Sequence, residues 1–222
     1  MFGNHPDRAG KIKEKKNLTG TTATQSVDHT APSEEDALRA QLYRLLAFCL
    51  HKPLDTEGLA MAASLEGDDT DLGRAIDTFA KLAAKSSPEA IEQEFHDLFI
   101  GIGRGELLPY ASYYLTGFLN EKPLAKLRND MSALGIERRA SVKEPEDHIA
   151  AVSEMMSGLI SGEFDVAVDI GRQREFFATH VGSWAKHFFT DLEAAKSSVL
   201  YGTLGSVGRA FMDIEEVAFT MD

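Results

Sequence analysis

The chain has 222 residues, 43% of them hydrophobic, enough for a substantial core. Its net charge of −12 argues against a nucleic-acid partner, because an acidic body repels a phosphate backbone and attracts cationic segments. The single cysteine, Cys49, excludes an internal disulfide, and no apolar run reaches the roughly 18 residues a membrane helix needs.

Residues 1–32 lack hydrophobic periodicity and carry five basic and three acidic side chains, so the rest of the chain holds a charge of −14. This stretch reads as a disordered polar tail. Its basic residues are followed by a threonine-rich run and not by an apolar segment, so it does not read as a secretory signal, and a cytoplasmic location is expected. Structure is expected from Ser33 to the C-terminus. Ser33 can cap a helix opening on Glu34-Glu35-Asp36, with Leu38, Leu42, Leu45, Leu46 and Cys49 at helical spacing, and Pro53 stops it. Asp55-Thr56 and Asp68-Asp69-Thr70 precede further Ala- and Leu-rich segments. Ser87-Pro88-Glu89 is a helix start with a capping serine and an N-terminal proline. The Gly101, Gly103 and Gly105 series ends that helix. Pro123 opens another, closed by Gly135, and Glu144-Pro145-Glu146-Asp147 reads as the start of the next, closed by Gly162. Three more helical segments are expected near 164–180, 183–195 and 198–219. With no alternating strand pattern, the expected fold is all-α, one domain of nine or ten helices over 33–222.

Chemistry-bearing motifs are sparse. Gly101-Ile102-Gly103-Arg104-Gly105 follows no strand and lacks the spacing of a dinucleotide loop and the ending of a P-loop, so it reads as a connection. The seven histidines give no metal-ligand pattern, and no nucleophile elbow is present. No cofactor and no metal are expected. Two segments stand out. Pro109-Tyr110-Ala111-Ser112-Tyr113-Tyr114 places three tyrosines in five residues at a loop-to-helix junction, combining apolar rings with hydroxyls. Glu144-Pro145-Glu146-Asp147-His148 reads as an acidic helix mouth able to receive a cation; as a bland alternative it is a well-made helix N-terminus.

In order along the chain, Phe95-x-x-Leu98-Phe99-x-Gly101, Pro109-Tyr110-x-Ser112-x-Tyr114, Leu127-Arg128, Gly135, Glu144-Pro145-Glu146-Asp147-His148-Ile149, His180-Val181-x-x-Trp184 and Tyr201 resemble the TorD/DmsD family of redox-enzyme maturation chaperones over roughly residues 35–217. The resemblance implies an all-helical, non-enzymatic chaperone that binds the twin-arginine signal peptide and the body of an apo-molybdenum oxidoreductase and delays export until the molybdenum cofactor is in place. It implies peptide-binding roles for Pro109, Tyr110, Ser112, Tyr114, Glu144, Pro145, Asp147 and His148. Many relatives carry tryptophan and glycine after the proline or glutamate before the serine; here Tyr110 and Ala111 stand, which leaves the client undetermined. Weak guanine-nucleotide binding is associated with the family, and this sequence shows no site for it. Homodimer formation is left open, and membrane insertion is not expected. Two other readings compete: a helical scaffold that binds a mature redox subunit, and an acid/base hydrolase using Asp147 and His148 with Glu144 orienting them.

Overall fold

The computed structural model describes residues 33–139, 142–164 and 169–221. The expected polar tail at 1–32 lies outside the described residues, as do positions 165–168 of the helix expected from 164. The described residues form ten α-helices and no strand. These are α1 (Glu34–His51), α2 (Thr56–Ala63), α3 (Asp71–Ala83), α4 (Pro88–Phe95), α5 (Ala111–Thr116), α6 (Lys122–Ala133), α7 (Ile149–Ser161), α8 (Ile170–Phe176), α9 (Ala185–Ala194) and α10 (Leu200–Met221). Helices α4 and α8 each run on into a single π turn, at His96–Ile100 and Phe177–Val181. None of the described helices is long and apolar enough to cross a membrane.

Several of these boundaries follow directly from capping chemistry. The side chains of Ser33, Asp55, Thr70, Ser87 and Asp169 each accept a backbone N–H from the first turn of α1, α2, α3, α4 and α8. After the π turn the chain reverses. Gly101 has φ +60, and a Cβ on Gly105 would lie 2.5 Å from the backbone carbon of Phe99. The glycine series is therefore a close chain return, with the Leu107 N–H donating to the Leu98 carbonyl at 2.8 Å.

Helix α1 packs along α7, and α10 lies against α9 and α3. Trp184, Tyr43, Tyr201, Phe79, Phe188, Phe189 and Phe211 are the largest fully buried side chains, all in one apolar cluster. The buried face of α1 differs from the expected stripe. Leu38 is exposed, whereas Arg39, Ala40, Tyr43, Leu46, Cys49 and Leu50 face inward. Arg39 is tolerated there because it meets the fully buried Glu215 of α10 with two hydrogen bonds, 2.6 and 3.0 Å, while the Tyr43 hydroxyl donates to the same carboxylate at 2.9 Å. The rotation leaves Arg44, Ala47, Phe48 and His51 on the other side of α1, facing a groove. A second buried carboxylate, Glu94 of α4, accepts the backbone N–H groups of Val199, Leu200 and Tyr201 and thereby fixes the start of α10.

Candidate functional site

The two segments singled out in the sequence meet. The Ile149 N–H donates to the Pro109 carbonyl at 2.8 Å, and the Ala111 N–H to the Asp147 carbonyl at 3.0 Å, so Tyr110 and His148 pair antiparallel. Their rings touch edge-on with centroids 5.2 Å apart. The Tyr110 hydroxyl donates to the Glu144 carboxylate. Burial raises the Tyr110 hydroxyl pKa, and this carboxylate adds to the shift.

The helix mouth is not where the sequence put it. Residues Pro145–His148 form a turn, closed by the His148 N–H donating to the Pro145 carbonyl at 3.2 Å, and α7 begins only at Ile149. Its N-cap is His148, whose Nδ1 accepts the Ala150 N–H at 3.1 Å. That role needs an unprotonated Nδ1. Burial, with His51 nearby as a lesser cause, lowers the pKa to about 3 and keeps the ring neutral.

Asp147 is fully buried. Its Oδ2 accepts the Ser112 N–H at 2.8 Å, so it caps the start of α5 from the neighbouring loop. It does not present an acidic face to an incoming cation, as the acidic run 144–147 had suggested. Ser112 is buried beside it, and Pro109 is buried as well. Tyr114 points toward α9: its ring packs on Trp184 and Phe188, and its hydroxyl donates to Asp191 at 2.9 Å. Asp147 and His148 are each engaged with a backbone N–H, which leaves no paired acid and base.

Of the eight expected residues, Glu144 and His148 line a groove of about 450 Å³ between α1, residues 136–139 and 142–144, and α7, and Tyr110 braces both from behind. Its apolar walls come from Ala47 and Phe48 of α1, Met131, Ile136, Val142, Ala151, Met155 and Phe164. Around them stand the carboxylates Glu137, Glu144, Glu146, Glu154 and Glu163, and the guanidiniums of Arg44, Arg138 and Arg139. Glu146 is buried. Burial alone would raise its pKa, but Arg128 at 2.8 Å and Arg138 at 3.3 Å hold it below the usual carboxylate range. A second hollow, of about 500 Å³ between α2, α3 and the start of α4, is lined by small side chains and carries no charged group.

Sequence reasoning missed the α1 wall and residues 136–139. Phe48 lies within the apolar run Leu45-Leu46-Ala47-Phe48-Cys49-Leu50, and its 38% exposure marks it as surface. The adjacent pair Arg138-Arg139 was a signal that went unread.

The chain matches the family model described as "Nitrate reductase delta subunit" over residues 65–190, from just after α2 to within α9. Among curated proteins it is similar to the chaperone protein TorD of Vibrio cholerae, 26% identical over 194 residues, covering 78% of this chain and 88% of the relative. It is also similar to the chaperone protein TorD of Aliivibrio fischeri, 29% identical over 171 residues, covering 68% and 80%. A crystal structure of a redox enzyme maturation protein from Archaeoglobus fulgidus superimposes with a TM-score of 0.53 at 22% identity, covering 79% of this chain and 94% of that one, which shows a shared helical fold. The chain therefore belongs to the nitrate reductase delta subunit family, among the TorD-type redox-enzyme maturation chaperones and not among enzymes.

Proposed function

We propose that the chain binds the twin-arginine leader of an apo-molybdoenzyme in the groove between α1 and α7, and retains the client until its cofactor is inserted. The encounter precedes export and so takes place in the cytoplasm. The observation that carries this reading is the pairing, at the family motif, of apolar walls with a rim of carboxylates. A leader has the matching pattern: two guanidiniums followed by an apolar stretch. Exposed ion pairs contribute about 0.2–1 kcal/mol each. Burying ~300 Å² of apolar leader gives about 7 kcal/mol gross, before ordering costs. The walls then supply most of the affinity, and the rim supplies selectivity and a faster approach.

A groove of about 450 Å³ accepts a few side chains of an extended segment, which favours a peptide over the surface of a folded subunit. Calorimetric titration tests this with a synthetic leader and with the same peptide carrying glutamines in place of its two arginines. The expected result is saturable binding of the first and weaker but measurable binding of the second. Binding to the mature client alone, with no heat from either peptide, would instead support the scaffold reading.

A further inference from the structure

Every acidic group on the groove rim for which an ion pair is present has it with an arginine of the chain itself. The Arg138 Nε lies 3.3 Å from Glu146, and its Nη1 lies 3.4 Å from the Glu144 carbonyl. The Arg139 guanidinium lies 3.7 Å from Glu154 on α7, and Arg44 of α1 pairs with Glu163. Arg138 and Arg139 are adjacent in sequence and sit on the loop that borders the groove. Arg128 is a different case, because it holds Glu146 from α6, outside the groove, with a 2.8 Å contact.

We infer that Arg138 and Arg139 are a built-in twin-arginine mimic, competing for Glu146 and Glu154 with the arginines of an incoming leader. The inference rests on the leader-binding reading above and adds a regulatory device to it. The physical argument is one of exchange. Glu146 already has Arg128 and Arg138, and Glu154 has Arg139 at 3.7 Å, so a guanidinium arriving from solvent gains only the difference between its own ion pair and the internal one. The internal side chains are 41% and 81% exposed respectively, so they can swing into water without moving the backbone. A segment with one positive charge can displace one internal arginine at most, whereas a leader carrying adjacent arginines replaces both together and regains both pairs. Apolar segments that use only the groove walls meet no such competition. The self-occupied rim therefore lowers the affinity for cationic ligands while leaving weak apolar binding untouched, which suits a chaperone that must release its client.

The test is the double variant Arg138→Gln/Arg139→Gln of the full chain, titrated with the leader peptide and with its double-glutamine version. Lys85→Gln/Lys122→Gln serves as a control that removes the same charge from exposed positions away from the groove. Losing the two internal pairs should tighten the leader roughly three- to ten-fold, leave the glutamine peptide unchanged, and exceed any effect of the control. Equal tightening in the control would reduce the effect to net charge and overturn the inference. Weaker leader binding by the double variant, with melting unchanged, would overturn it too, since the arginines would then be contacts for the ligand. If wild type binds the leader and the double variant binds it identically, the mimic fails while the site stands. If neither protein distinguishes the two peptides, the leader-binding reading fails, and the mimic with it.

Discussion

Asp147→Ala separates a residue that builds the site from one that touches a ligand. The Asp147 side chain has no exposure, and its Oδ2 accepts the Ser112 N–H, itself buried, at 2.8 Å. Truncation strands that N–H and removes the cap of α5, a loss of about 1–3 kcal/mol. The upper end is moderated because Asp147 Oδ1 has no partner in the native state, so its removal carries a small compensating gain. For a domain of this size that loss lowers the melting temperature by ~2–12 °C. Asp147→Asn should lose less, because the amide oxygen can keep the Ser112 bond. Thermal melts read by circular dichroism, followed by leader titration well below the melting range, give both quantities. The expected outcome is a destabilised Asp147→Ala protein whose folded fraction still binds the leader within a few-fold of wild type. A variant that melts like wild type yet loses the leader would refute this reasoning and restore Asp147 as a direct contact.

Two further outcomes follow from buried charge. His148 is neutral with its pKa at about 3 against an ordinary 6.5, so between those values the unfolded chain takes up the proton more readily and stability falls as pH drops. His148→Asn keeps an N-cap acceptor without the titration, and urea melts should show it losing up to about 2 kcal/mol less than wild type between about pH 6.5 and pH 5. Arg39→Met strands the buried Glu215 and should lower stability by about 3–5 kcal/mol, whereas Arg39→Met/Glu215→Leu should recover most of that; denaturant midpoints of both decide whether the network at α1 and α10 acts as a pair.

The fold was legible where local chemistry decides it. Ser33 and Ser87 cap the helices they were expected to cap, and Gly135 and Gly162 close theirs with φ of +69 and +76. It was less legible where a distant partner overrides the pattern. Nothing local says that Arg39 is buried and Leu38 exposed, since the reason is Glu215, 176 residues away. The same holds at the site. The family motifs drew attention to 109–114 and 144–148, but most of those residues join the two segments to each other, through Pro109, Ser112 and Asp147. The groove they frame takes its walls from α1 and from residues 136–139 and 142–144, which only the tertiary fold brings together. An acidic helix mouth was also a reasonable expectation from Glu144-Pro145-Glu146-Asp147, yet that run closes as a turn and leaves His148 to start α7.

The central claim is that the leader lies in the groove between α1 and α7. Photo-crosslinking addresses it most directly, using a leader peptide that carries benzophenone in its apolar stretch, with the attachment points read by mass spectrometry. The groove predicts adducts on Phe48, Met131, Ala151 or Met155, suppressed by excess unlabelled leader. Adducts confined to the α2–α3 hollow or to the exposed Phe118 region, equally competed by unlabelled leader, would contradict it.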